Sequence, residues 1–101
     1  MRRYELAFTD QDKDHEPIDA GKLSAVLSEI SGKCGGYARS RRFGFWISPE
    51  GVEYASPETL VTADAPVDPQ TLDWFKEKKT AWQMALNYKQ LYIAGYTVDW
   101  L

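Results

Sequence analysis

The sequence holds one cysteine, Cys34, and one histidine, His15, in 101 residues. A single cysteine closes no intramolecular disulfide, which excludes the stapled architecture of small secreted domains and points to a reducing compartment. One cysteine and one histidine fall short of the roughly four ligands of a Cys/His zinc site. No apolar run reaches the ~18 residues that a membrane span requires. The basic start, Arg2-Arg3, is interrupted by Glu5 and Asp10, so no signal-peptide core follows it. A cytoplasmic location is expected. A basic excess is also lacking, with 12 Lys+Arg against 15 Asp+Glu and a net charge of -3. Dedicated DNA binders draw most of their affinity from phosphate contacts and are usually basic. The phosphate-loop pattern GxxxxGK[ST] is absent, leaving Gly32, Gly35 and Gly36 as corner residues.

Aromatic residues, by contrast, are abundant: four Trp, six Tyr and four Phe. That exceeds what one small core needs, and tyrosine and tryptophan are enriched where proteins meet partners. The length fits one domain, residues 1–101, since single domains commonly run to about 100–150 residues. No repeat, linker or low-complexity segment divides it.

The patterning predicts six elements. Tyr4, Leu6 and Phe8 alternate with Arg3, Glu5 and Ala7, which predicts a half-buried strand over 3–9. A polar loop spans 10–17. Asp19 is an N-cap, with Ile18 and Leu23 spaced as a hydrophobic staple. Leu23, Val26, Leu27 and Ile30 then mark one face of a helix that Gly32 is expected to stop. The stretch 37–47 places Phe43, Phe45 and Ile47 on one face of a strand and Arg42, Gly44 and Trp46 on the other. Ser48-Pro49-Glu50-Gly51 is a turn, and the returning strand carries Val52 and Tyr54. Ser56-Pro57 predicts an edge strand or a bulge, with pairing resuming at 60–62. Asp68-Pro69 opens a second helix, Val67 and Leu72 repeat the staple spacing, and Asn87 ends it. Leu72, Phe75, Trp82 and Leu86 share its apolar face. The last strand, 91–100, is apolar on both faces, which predicts a central or covered position. The order β-α-β-β-α-β is that of an α+β, ferredoxin-like domain, two helices on one face of a four-stranded antiparallel sheet.

Three segments are candidates for chemistry. Asp10, Asp12, Asp14 and Glu16 form an acidic loop. It begins like a calcium loop, but His15 stands where glycine is needed and Gly21 where the bidentate glutamate belongs. No metal and no cofactor are expected; the plainest reading is a solvated loop that caps the helix, and the alternative is a negative patch that steers the chain to a basic surface. The second segment is 39–46. Arg41, Phe43, Gly44 and Phe45 resemble the aromatic motif of RNA-recognition domains, in which rings stack on bases. Arg42 replaces the usual glycine, Trp46 an aliphatic and Ser48 the final aromatic, and the motif sits on the second strand instead of the third. The competing reading packs Phe43 and Phe45 in the core. The third segment is Cys34, which follows a helix C-terminus, where the dipole disfavours a thiolate; an inert thiol is expected, and no catalytic residue is assigned.

Gly35-Gly36-Tyr37, Gly44-Phe45-Trp46 and the hairpin residue Gly51 together resemble small uncharacterised bacterial and phage proteins. The resemblance implies a fold and carries no catalytic residue across. The function expected is binding without catalysis: the loop Asp10, Asp12, Asp14 and Glu16 meets a basic protein surface, while Trp46, Tyr54, Tyr96 and Trp100 anchor the contact. A phage-type accessory inhibitor of a nucleic-acid-handling complex suits the size and charge. One alternative is an RNA or single-stranded nucleic-acid binder using Arg39, Arg41, Arg42, Phe43 and Phe45. Another is a small-molecule enzyme or ligand sensor on the open sheet face. A homodimer through the sheet is a further candidate partner arrangement, and it would argue against exposed chemistry on that face.

Overall fold

The computed structural model describes the backbone of all 101 residues and every side chain except that of Trp46, so the predicted anchoring role of Trp46 lies outside the described residues. The chain runs β1 (Arg2–Thr9), α1 (Ala20–Cys34), β2 (Ala38–Ile47), β3 (Glu53–Ala65), α2 (Pro69–Ala85) and β4 (Tyr92–Thr97). The strands form one antiparallel sheet in the order β2-β3-β1-β4, the ferredoxin-like arrangement that the sequence predicts.

Alternation along β1 places Tyr4, Leu6 and Phe8 inward, and the register sets them opposite Ala63, Val61 and Thr59 of β3. Val26, Leu27 and Ile30 of α1 and Phe75 and Trp82 of α2 close over that face with Leu86 and Leu91. Asp19 caps α1 by accepting from the Lys22 amide at 2.9 Å, and Asp68 caps α2 by accepting from the Thr71 amide at 2.6 Å. The two helices are joined where the Trp82 indole N–H donates to Glu29, a carboxylate that also holds Lys78.

Three expectations need correction. Helix α1 passes Gly32 and ends at Gly35, whose φ of 82° supplies the left-handed stop. An exposed helical glycine costs only about 1 kcal/mol, so Gly32 alone cannot end a helix that still has a core to bury. Val67, expected to staple to Leu72, is 63% exposed and so buries little of its side chain. Strand β4 lies at an edge of the sheet, not at its centre, so its outward tyrosines, Tyr92 and Tyr96, are exposed.

Ser56-Pro57 makes no break, since β3 runs continuously from Glu53 to Ala65, but at Pro57 the only strand that pairs with it is β2, so the chain is locally an edge there, as expected. The Pro57 carbonyl accepts from the Asp10 amide at 3.2 Å. The N–H and C=O of one strand residue point the same way, so the donor that Pro57 lacks faces the β1 side. There β1 has already ended, its last pair being Thr9 with Glu58. The missing donor therefore removes no ladder bond.

Candidate interaction surface

The strands differ in length, and this mismatch builds the site. Strand β1 accompanies β3 only over residues 58–65, whereas β2 pairs with β3 from Ala38↔Thr62 to Ile47↔Glu53. Residues 43–47 and 53–57 therefore pair only with each other and form a two-stranded ribbon beyond the body of the sheet. The turn closes where the Gly51 amide donates to the Ser48 carbonyl at 2.9 Å, with Gly51 at φ 82°.

One face of this ribbon is apolar. Phe43, Phe45 and Ile47 are 66%, 68% and 70% exposed, opposite Pro57, Ala55 and Glu53. The core reading of Phe43 and Phe45 is thereby overturned: their face is continuous with the helix-covered face of the sheet, but no helix reaches it. Val52 at the tip is also exposed. Neither Ile47 nor Val52 was singled out from the sequence, because an alternating strand reads the same whether or not a layer covers it. The signal available was length, a hairpin longer than the strand beside it.

The acidic loop lies against the base of the same face. Asp10 accepts both ends of the Arg41 guanidinium, at 2.7 and 2.6 Å, and Arg41 also donates to Thr59. That hydrogen-bonded contact holds the Asp10 carboxyl below the usual carboxylate range. Asp12 accepts from the Asp14 and Glu16 amides and from Asn87, whose side-chain amide also donates to Asp14. The hydrogen bond from Asn87 is the main reason that the Asp12 carboxyl is lowered. His15 completes the bend at φ 61°, and the Tyr88 hydroxyl donates to the Thr9 carbonyl beneath it at 2.6 Å. Burial pushes Tyr88 up to about 12. Between loop and ribbon lies a cleft of about 470 Å³ lined by Asp10, Asp12, His15, Ser56, Ala55 and Pro57 among others. Thus two of the predicted acidic residues and the base of the apolar ribbon share one cleft, and Glu16 is exposed nearby in the loop.

The remaining predicted residues do not join this patch. Tyr54 lies on the other face of the ribbon with Ser56 and Gly44. Tyr96 is on β4, across the sheet, and its hydroxyl donates to Glu5 at 3.3 Å. Trp100 is exposed beside a second cleft, of about 330 Å³, with Cys34, Arg3 and Asp64. Burial raises the Cys34 thiol, which disfavours a thiolate there. His15 and Cys34 line different clefts. Of the three arginines proposed for nucleic acid, Arg41 is clasped by Asp10 and Arg42 by Glu58, which leaves Arg39. Glu58 is the one carboxylate buried among the described residues, lying over Gly44, where a Cβ would meet its Oε1 at 3.3 Å. No group of three metal-ligating side chains occurs among the described residues, and no helix there is long and apolar enough to cross a membrane.

No family model and no curated protein matches this sequence. Solved structures do resemble it in fold. A phage SAM lyase in complex with S-methyl-5'-thioadenosine superposes with a TM-score of 0.68 at 5% identity, over 94% of this chain and 79% of that one. A point mutant of CutA1 from Pyrococcus horikoshii gives 0.64 at 14% identity, over 100% and 86%. At such identities the likeness establishes the ferredoxin-like architecture alone.

Proposed function

We propose that this protein works by docking onto a macromolecular partner, with the ribbon of residues 43–57 as anchor and the acidic loop as guide. The observation that carries the reading is the exposure of Phe43, Phe45 and Ile47 on one face of an unsupported ribbon. Isolated two-stranded hairpins are at best marginally stable in water, and contiguous apolar surface marks interaction sites. The cleft joining Ala55 and Pro57 to Asp10 and Asp12 supports a partner that presents a protein surface with apolar side chains flanked by lysine or arginine. Aromatic anchors dominate such contacts, while rim charges set encounter rate and salt dependence. An accessory inhibitor that covers a basic surface of a nucleic-acid-handling complex fits this chemistry.

The test uses the purified chain as bait in a lysate of its native host, with an Asp14→Lys/Glu16→Lys variant alongside. Both positions are exposed, and because Asp14 accepts a hydrogen bond from Asn87 the variant's melting curve is recorded beside that of the native chain. The proposal expects a basic protein retained by the native chain, retained less by the variant, and released as salt rises. Equal retention by both forms removes the loop from the mechanism. A retained species that proves to be the chain itself assigns the ribbon to self-association.

A second reading rests on Glu58. A buried carboxylate on the sheet face away from the helices, held by Arg42 beside Gly44 and Ser56, is a group that a small ligand can use. The ligand of the phage lyase neighbour supplies the probe. Calorimetric titration with S-methyl-5'-thioadenosine is expected to give saturable heat that Glu58→Gln abolishes. No heat with the native chain discards this reading.

A further inference from the structure

A slot of about 200 Å³ opens between α2 and β4, away from the ribbon. Its floor is the Tyr4–Phe75 pair, rings stacked with centroids 4.0 Å apart, and its walls are Leu72 and Ile93. Lys76 and Lys79 are one helical turn apart among its lining residues. Neither takes part in an ion pair among the described residues, whereas Lys78 is engaged by Glu29. Gly95 forms part of the wall, directly opposite Tyr4 in the register. A Cβ there would meet Arg2 Nε at 3.0 Å and Tyr4 Cδ1 at 3.3 Å. Arg2 Nε is buried with no hydrogen-bond partner, while Nη2 of the same side chain donates to the Gly95 carbonyl. Two lysines thus line an aromatic-floored slot that no carboxylate lines, in a chain whose net charge is -3.

We infer that this slot binds a small amphipathic carboxylate, its apolar body on the Tyr4–Phe75 floor and its carboxylate between Lys76 and Lys79. The apolar walls favour the body by burial, and charge-assisted hydrogen bonds favour the head. The volume lies below the ~300 Å³ at which pockets for drug-sized ligands begin, which selects a short alkyl or single-ring acid. Carboxylates are preferred over neutral analogues because both ammonium groups are otherwise unpaired.

The probe is hexanoate, followed by amide chemical shifts of the full chain, with hexanol as the neutral control. Saturable shifts are expected at Ile93, Ala94 and Gly95, with hexanol at least ~10-fold weaker, as one charge-assisted bond implies. Lys76→Glu/Lys79→Glu should weaken hexanoate by a similar ~10-fold, leaving the spectrum otherwise native. Equal binding of hexanoate and hexanol, undiminished binding by the double variant, or shifts that never saturate at these residues would overturn the inference.

Discussion

Replacing Phe75 by alanine is expected to lower the unfolding free energy by about 3–5 kcal/mol, the range for deleting a buried aromatic side chain. Phe75 is 2% exposed, stacks on Tyr4, and meets Trp74 and Trp82 edge-on. Its removal leaves a cavity beneath both rings that the surrounding strands cannot fill by small shifts. A domain of this size has about 5–15 kcal/mol in total, so the variant loses a large fraction of its stability. Thermal unfolding should show a midpoint lowered by at least ~12 °C, taking ~4 °C per kcal/mol as the lower limit for such a domain. Phe45→Ser should move the same midpoint little, within the ~0.5 kcal/mol usual for surface positions, because Phe45 is already two-thirds exposed. A midpoint shift for Phe45→Ser as large as that for Phe75→Ala would mean that the ribbon is part of the core.

The contrast between these two phenylalanines also marks the limit of what the sequence discloses. Both lie in apolar alternation or periodicity, and both are ringed by further aromatics. Phe75 was legible as core because Leu72, Trp82 and Leu86 repeat at helical spacing and Asp68-Pro69 fixes where that helix starts. The alternation of Tyr4, Leu6 and Phe8, the caps at Asp19 and Asp68, the turn at 48–51 and the left-handed Asn87 were legible for the same reason: each depends on residues close in sequence. The exposure of Phe43 and Phe45 depends on where β1 stops, and the edge position of β4 depends on strand order. Neither is local. The pairing of Asp10 with Arg41 joins residues 31 positions apart, so nothing in the sequence ties the acidic loop to the arginine segment, although an ion pair holds them together. Gly32 misled because glycine permits a stop without requiring one, and the chain uses Gly35.

The second large effect is on binding. Phe43→Ser/Phe45→Ser removes two rings that are each two-thirds exposed in the free chain. Aromatic anchors at the centre of an interface typically contribute about 2 kcal/mol or more each, so losing even one implies a ~30-fold weaker complex. The loss should appear mainly as faster dissociation, since the loop charges that guide encounter are untouched. The free chain should unfold at nearly the native temperature, which separates a lost contact from a lost fold. The decisive measurement is therefore the affinity of the captured partner for the native chain and for this double variant, made beside their melting curves. Docking through the ribbon predicts at least ~30-fold weaker binding with an almost unchanged melting curve. Equal affinity for both proteins would contradict it and place the working surface elsewhere on the molecule.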